Sequence, residues 1–338
     1  MLNFNLKKKY LSVLSNYSPK EIAPKKLSDL NLKIIDQIIK KDLSITIELY
    51  QEYDLDWNRT IAELTSGIET IGKLKKVNII VTHHKSQPKP LKQNKKQFNH
   101  KLILVCSAKG GVGKSTICVN LALALNMLGK KTAIIDSDIY GPSTHHLLGI
   151  SKAEPKVKDG IMMPYEKHGV KLNSMGLIVP EDKALMWRAP MLTKSLNNLL
   201  YSTDWGDTEY LFVDLPPGTG DVYLTLLKNH PNAEAILIST PQKISLIDVS
   251  RSIDLLKKLD IGILGIIENM AYKENGPMSE HVTNFAKERN IKHLGKILYD
   301  DNIAYYSDIS EPAILQKKLN FSNELKKIAK LLMHNDNV

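Results

Sequence analysis

The sequence predicts an α/β domain whose parallel sheet is covered by helices on both faces, preceded by a small α+β domain. The first observation is that short apolar segments alternate with helical segments from residue 102 onward: KLILVC, KTAIIDSD, EYLFVDLPP, AEAILIST and GILGIIEN. The second is that these segments are almost continuously apolar, which is typical of parallel strands buried on both faces. The third is that residues 1–83 follow a different pattern, which predicts a separate domain.

The composition is that of a globular protein large enough for two domains. The chain has 338 residues, of which 43% are hydrophobic and 24% charged, and both fractions are ordinary for folded proteins. A mainly disordered chain and a disulfide-stapled miniprotein are therefore excluded. Cys106 and Cys118 are the only cysteines, too few for a four-cysteine metal site within one chain.

The net charge is +10, because the chain has 46 lysines and arginines and 36 acidic residues. This charge suggests nucleic-acid binding, but the type of basic residue argues against it. Only four of the 46 are arginine, the usual reader of phosphate and guanine. We therefore expect no nucleic-acid partner. No segment reaches the roughly 18 apolar residues of a membrane span, and the N-terminus lacks the apolar core of a signal peptide. With few cysteines, this predicts a cytoplasmic protein.

The N-terminal domain, residues 1–83, is predicted to contain two helices and two strands. Residues 28–40 place five apolar side chains on one helical face, with Ser28 as a plausible N-cap. Residues 43–49 alternate like a strand, 74–82 form a second, and 57–71 form the helix between them. Nothing in this domain indicates chemistry.

Residues 84–101 are predicted to be a basic linker. From residue 85 this segment carries six lysines, two prolines and no acidic residue, a composition typical of linkers. A basic binding arm is the alternative. The large domain then spans residues 102–338.

A glycine-rich segment between the first strand and the helix 114–128 predicts a phosphate loop. Glycines let the backbone curl around a phosphate, and the helix N-terminus adds partial positive charge. Lys114 is expected to reach the β- and γ-phosphates of ATP, and the Ser115 hydroxyl to bind Mg²⁺. A dinucleotide site, which needs the G-x-G-x-x-G pattern, is disfavoured. The predicted nucleotide-binding residues of the loop are Lys109, Gly110, Gly111, Val112, Gly113, Lys114, Ser115 and Thr116.

Three carboxylates follow predicted strands and are expected beside the loop. Asp214 ends the strand EYLFVD and is predicted to hold Mg²⁺ through water, while Asp138 is predicted to position the attacking water. Asp136 is predicted either in the Mg²⁺ shell or as a carboxylate that stabilises a turn. The predicted catalytic residues are Lys109, Lys114, Asp138 and Asp214.

Several motifs resemble one class of P-loop ATPases. The loop KGGVGKST resembles the deviant Walker A loop of the MinD/ParA/Mrp class. DSDIYGPS, MWRAPM, LPPGTGD and ENM resemble the Mrp/ApbC branch, whose members are ATP-binding iron–sulfur cluster carriers. The resemblance is dense over residues 102–245 and thinner to about residue 315. It implies a P-loop NTPase fold for the large domain.

The resemblance also implies partners and roles. In this class the first lysine of the loop, here Lys109, typically reaches the nucleotide of the partner subunit, which implies a homodimer and slow, dimer-dependent ATP hydrolysis. Asn269 of the ENM motif is implied to lie near the adenine. The partners implied by the branch are iron–sulfur apoproteins or assembly proteins.

The sequence departs from this branch where a cluster would bind. Mrp-type carriers usually have CxxC shortly after ENM, but here Asn275 and Met278 occupy those positions if the alignment has no gap. Neither side chain supplies a thiolate. Cys106 and Cys118 are expected to be small buried hydrophobic residues. The [4Fe–4S] cluster implied by the resemblance therefore has no evident ligands in this chain.

Three functions stay open from the sequence. The first is an Mrp-like ATPase in iron–sulfur cluster transfer, and the second is an ATP-dependent dimeric switch that docks a partner without holding a cluster. The third is a positioning ATPase like ParA or MinD. For the third, the apolar stripe of the tail 321–334 would be a membrane helix, although such a stripe more often packs on its own domain.

Overall fold

In the computed structural model, the chain forms two compact units, Met1–Lys89 and Pro90–Val338. The predicted linker lies outside the described residues except for its last two. The structure describes residues 2–30, 32–39, 42–49, 53, 55–71, 74, 76–83, 100–139, 141–150, 156–178, 189–216, 230, 232–272 and 278–334.

The first unit is a three-stranded sheet with two helices. Strand β1 runs antiparallel to β2, and β2 runs parallel to β3. The buried side chains of α1, α2, β2 and β3 form one apolar cluster, so the unit has its own core. The predicted strands at 43–49 and 74–82 and the helix at 57–71 are confirmed within a few residues. The elements are α1 (Leu2–Asn16), β1 (Leu32–Ile39), β2 (Asp42–Leu49), α2 (Trp57–Glu69) and β3 (Lys76–His83).

The helix predicted at 28–40 is wrong, because this segment forms β1. All eight residues of β1 pair with β2. Its isoleucines are β-branched and prefer the extended backbone, and their spacing fits a strand as well as a helix. Ile34 packs against the apolar cluster, whereas Ile35, on the other face, is 42% exposed. Ser28 lies in a short 3₁₀ turn before the strand.

The second unit is built on an eight-stranded sheet in the order β13-β12-β11-β4-β10-β5-β9-β8. Neighbouring strands are parallel except at the edge, where β8 is antiparallel to β9. Strands β6 and β7 form a separate hairpin. The strands are β4 (Lys101–Cys106), β5 (Thr132–Asp136), β6 (Lys156–Lys158), β7 (Ile161–Met163), β8 (Tyr165–Lys167), β9 (Val170–Ser174), β10 (Tyr210–Asp214), β11 (Glu234–Ser239), β12 (Gly262–Ala271) and β13 (His293–Leu298).

Helices cover both faces of this sheet, so the predicted fold class is confirmed. One buried apolar cluster contains side chains of α3, α4 and α10, and a second cluster contains side chains of α6, α7 and α8. The helices are α3 (Lys114–Met127), α4 (Thr144–Leu147), α5 (Met175–Ile178), α6 (Ala189–Tyr201), α7 (Lys243–Lys258), α8 (His281–Glu288), α9 (Asp301–Asp308) and α10 (Asn320–His334).

The strand order brings the predicted site residues to one edge of the sheet. Strand β10 lies between β4 and β5, and Asp214 on β10 is paired with Asp136 on β5 and with Val105 on β4. Because the strands are parallel, their carboxyl ends meet at the same edge. The loop that follows β4 therefore begins beside both carboxylates.

The apolar stripe of the tail packs on its own domain. Phe321, Leu325, Ile328 and Leu332 on α10 are buried in the same cluster as α3, and Leu331 is half-buried. This confirms the packing alternative for the stripe. Within the described residues, no helix has both the length and the apolar character needed to cross a membrane.

Truncating the stripe tests this packing. Leu325 is 0% exposed, so Leu325→Ala should lower the free energy of unfolding by about 2–5 kcal/mol, because it leaves a cavity in the core. Leu331→Ala on the same helix is the matched control and should cost much less. Urea unfolding followed by circular dichroism measures both. Equal losses from the two variants would contradict this assignment.

Candidate nucleotide site

The glycine-rich segment forms a loop that opens into a cavity. Gly111 and Gly113 have φ angles of +78° and +80°, a left-handed backbone that glycine adopts without steric cost. Gly113 is the N-cap of α3, whose first residue is Lys114. The cavity has a volume of about 270 Å³ and is lined by Ser107, Lys109, Gly110, Gly111, Gly113, Lys114, Ser115, Thr116, Asp138, Gly141 and Ser143.

Most of the predicted loop residues line this cavity, but Val112 does not. Its side chain is 2% exposed and belongs to the apolar cluster beneath α3. Val112 therefore anchors the loop in the core while its neighbours face the cavity. Backbone N–H groups at the start of a helix form an anion site, because the helix dipole places partial positive charge there.

A buried ion pair joins the loop to the centre of the sheet. Lys114 Nζ lies 2.5 Å from Asp214 Oδ1, and the two side chains are 7% and 0% exposed. Burial alone would lower the pKa of Lys114, but the Asp214 carboxylate outweighs it and raises that pKa above its usual value. Burial raises the pKa of Asp214, and the Lys114 ammonium opposes this shift. Lys114 is therefore held charged in the wall of the cavity.

Asp214 has the chemistry to help hold Mg²⁺. Within the described part of the chain, its second oxygen, Oδ2, is buried and accepts no hydrogen bond. The Ser115 hydroxyl lies nearby, 3.3 Å from Lys114 Nζ. Mg²⁺ prefers hard oxygen ligands and usually takes one or two from the protein, with the rest from phosphates and water. These two residues fit that requirement.

Asp136 and Asp138 differ in what they contact. Asp136 Oδ2 accepts hydrogen bonds from Ser143 N at 3.0 Å, Thr144 N at 3.1 Å and Thr144 Oγ1 at 2.8 Å. Its Oδ1 accepts one from Asp138 N at 3.1 Å. These are the contacts of a carboxylate that stabilises a turn. Burial and then the charge of Asp214 raise the pKa of Asp136 to about 7.

Asp138 faces the cavity instead. Its side chain is 8% exposed and lines the cavity, and its Oδ1 accepts a hydrogen bond from Gly141 N at 3.1 Å. This location fits the predicted role of orienting water. The role itself, and a place for Asp136 in the Mg²⁺ shell, stay predictions.

Asn269 approaches the loop from β12. Its Nδ2 donates a hydrogen bond to Val112 O at 2.8 Å, although the two residues are 157 positions apart. Its side chain is 6% exposed. The proximity to adenine implied by the family resemblance stays a prediction.

Both cysteines are buried, as expected. Cys106 is 1% and Cys118 0% exposed. Burial raises the pKa of the Cys106 thiol to about 12 and that of Cys118 well above its usual value. A thiol with a raised pKa is a poor metal ligand, because the thiolate is the form that binds. Among the described residues, no three His, Cys, Asp or Glu side chains are grouped to hold a metal ion.

Four residues of the site were not predicted from the sequence: Ser107, Gly141, Ser143 and Thr144. The motif DSDIYGPST, which begins at the last residue of β5, contains three of them. Of the two positions aligned with CxxC, Asn275 lies outside the described residues and Met278 lies in a turn before α8. Residues 186–188 of the MWRAPM motif and residues 217–221 of the LPPGTGD motif lie outside the described residues.

The chain resembles curated proteins that share one name. An iron-sulfur cluster carrier protein of Rickettsia felis is 38% identical over 286 residues, which cover 84% of this chain and 89% of the relative. Proteins of the same name from Aquifex aeolicus and Escherichia coli K12 are 42% and 39% identical over 225 and 247 residues. These cover 63% and 71% of this chain, and 62% and 66% of the relatives.

Solved structures of nucleotide-binding proteins share the fold. A nucleotide-binding protein of Archaeoglobus fulgidus in complex with ADP matches with a TM-score of 0.54 and 31% identity, covering 62% of this chain and 86% of its own. The cell division ATPase MinD of Pyrococcus furiosus has a TM-score of 0.55 at 20% identity, covering 69% and 98%. The second likeness concerns the fold alone.

A family model supplies the assignment. The model of the ParA family described as NUBPL iron-transfer P-loop NTPase matches residues 99–333. This range contains the phosphate loop, Lys114, Asp138, Asp214 and Asn269, and it spans more than half of the chain. The chain therefore belongs to the ParA/NUBPL family of iron-transfer P-loop NTPases.

Proposed function

We propose that the protein is an ATPase that acts as an ATP-dependent iron–sulfur cluster carrier. The observation that carries this proposal is the phosphate-loop cavity with its buried lysine, in a chain that aligns over 84% of its length with a protein named as an iron-sulfur cluster carrier. The nucleotide is the energy source, and the cluster is cargo.

The residues that line the cavity have different roles in binding and hydrolysing ATP. The loop amides and the start of α3 bind the phosphates, and the Lys114 ammonium contacts the β- and γ-phosphates. Ser115 and, through water, Asp214 would hold Mg²⁺, which would neutralise charge on the phosphates. Asp138 orients the attacking water from the cavity wall.

Lys109 acts on the partner's nucleotide in a homodimer. It is half-buried at the cavity wall, and Lys114 already supplies the cation that pairs with Asp214. A cation delivered by a second subunit can stabilise the transition state of phosphoryl transfer. Turnover is accordingly slow in the monomer and depends on the dimer.

Binding an iron–sulfur cluster requires thiolate ligands, and the described residues do not provide them. Both cysteines are buried with raised pKa values, so they do not fit a cluster. We propose that an assembly protein or apoprotein partner supplies the cysteines, and that ATP-driven docking brings it to the dimer. The alternative from the sequence, a dimeric ATP switch that docks a partner without handling a cluster, is not favoured by the cluster-carrier names of the relatives.

Lys109→Ala tests the dimer-dependent step. The variant should keep most of its ATP affinity but lose ATP-dependent dimerisation, and turnover should fall by about a thousandfold, the order seen when a cation acting from a second protein is removed. Sedimentation velocity with a non-hydrolysable ATP analogue and a phosphate-release assay measure these. Lys243→Ala, which removes an exposed lysine of α7, is the control. An unchanged dimer fraction and turnover for Lys109→Ala would refute the role.

Anaerobic reconstitution tests the cargo proposal. The purified protein alone should retain close to zero iron per dimer after desalting, because its thiols are buried. Asn275→Cys with Met278→Cys should raise bound iron if the alignment with CxxC holds. About four irons per wild-type dimer, lost in Cys106→Ser or Cys118→Ser, would overturn the proposal that a partner supplies the ligands.

A further inference from the structure

We propose that Gly176 is a positioning residue that holds one wall of the nucleotide cavity in the shape that Asp138 needs. Gly176 lies in α5, directly after β9, and is not among the described residues that line the cavity. It acts through Pro142, which stands between two residues that do line it, Gly141 and Ser143. The inference rests on the proposed ATPase function and adds to it a residue from outside the site.

The sheet brings the two segments together. Strands β5 and β9 are parallel neighbours, and Asp136 at the end of β5 is paired with Ser174 at the end of β9. The chain therefore leaves the sheet at the same edge after both strands. The segment 137–145, which carries Asp138, follows β5, and Gly176 comes two residues after the end of β9.

The two segments approach each other so closely at Gly176 that no side chain fits there. A Cβ atom added at Gly176 would lie 2.7 Å from Pro142 Cγ, 2.8 Å from Pro142 Cβ and 2.9 Å from His145 Cε1. Carbon atoms in favourable contact are about 3.5–4.0 Å apart. The φ angle of Gly176 is not in the left-handed region. Glycine is therefore required at this position by the available space and not by the backbone conformation.

Pro142 transmits this contact to the cavity because its ring cannot move alone. The ring is bonded to its own backbone nitrogen, so a displaced ring displaces the neighbouring peptide groups. On one side of Pro142, Gly141 N–H donates to Asp138 Oδ1 at 3.1 Å. On the other side, Ser143 N–H donates to Asp136 Oδ2 at 3.0 Å. Both hydrogen bonds therefore depend on the location of Pro142, and the first one orients the carboxylate of Asp138.

Gly176→Ala tests this role by comparing turnover with binding. The displaced wall should lower kcat for ATP hydrolysis by about 10–100-fold, because a misplacement of about 1 Å in a catalytic group costs up to about a hundredfold. The dissociation constant for Mg·ATP should stay close to that of wild type, because the loop 109–116 binds the phosphates. Phosphate release at saturating Mg·ATP measures the first quantity, and calorimetric titration with a non-hydrolysable analogue measures the second.

Gly295→Ala is the matched control for a general loss of stability. A Cβ atom at Gly295 would lie 2.9 Å from Ile328 Cδ1 and Cγ1, so this variant introduces a clash of similar size between β13 and α10. The φ angle of Gly295 is also outside the left-handed region. Both variants should melt at a lower temperature than wild type. Only Gly176→Ala should lose turnover when both are assayed at a temperature at which circular dichroism shows them folded.

Pro142→Gly removes the contact from the opposite side and keeps the proposal testable if Gly176→Ala does not fold. Alone, it should lower kcat and leave Mg·ATP binding close to wild type, because the wall loses its support while the phosphate loop is unchanged. Combined with Gly176→Ala, it should lower kcat by less than the product of the two single effects, because the added Cβ no longer meets the proline ring. Strictly multiplicative effects would contradict the contact.

The remaining outcomes are distinguishable. A wild-type kcat in Gly176→Ala or in Pro142→Gly would overturn the proposal, and so would an equal loss of kcat in Gly295→Ala. Weaker Mg·ATP binding with kcat unchanged would also overturn it, since the effect would then be on binding. Failure of the wild-type protein to bind or hydrolyse ATP would instead refute the proposed function.

Discussion

The buried salt bridge between Lys114 and Asp214 is the contact on which the site depends. It joins the loop after β4 to the end of β10, with 2.5 Å between the charged atoms. A charge in a protein interior is stable only when it is paired, and removing one partner of such a pair costs about 3–5 kcal/mol. Each partner therefore keeps the other ionised in the protein interior, where water does not solvate the charges. In the proposed function, Mg·ATP offers both groups an alternative partner.

The sheet topology makes this pair necessary. Because β10 lies between β4 and β5, Asp214 is paired directly with Asp136, and both carboxylates are fully buried. Asp136 is stabilised by donors from Ser143 and Thr144, yet burial and Asp214 still raise its pKa to about 7. The Lys114 ammonium offsets this excess of negative charge. Asp138, outside this buried pair, faces the cavity.

The sequence predicts the parts of the site that are formed by residues close together along the chain. The alternation of strands and helices and the strand–glycine loop–helix order predict the sheet and the loop, because each depends on neighbouring residues. The helix predicted at 28–40 is wrong because the spacing of its isoleucines fits both the helical period and the strand period. Only the pairing of this segment with β2 decides that it is a strand. The hydrogen bond from Asn269 to Val112 joins residues 157 positions apart. Residue spacing in the sequence does not predict contacts between residues so far apart. The hydrogen bonds of Asp136 depend on a turn whose geometry the sequence does not reveal.

In the proposed function, Lys114 is held charged beside Asp214 so that it can bind a triphosphate. Calorimetric titration with Mg·ATP of the wild type and of Lys114→Ala, each first shown to be folded by its thermal melt, tests it most directly. Loss of a charge-assisted hydrogen bond of about 1.5–3 kcal/mol predicts roughly 10- to 100-fold weaker binding in the variant. Equal dissociation constants for the two folded proteins would show that Lys114 does not bind the triphosphate.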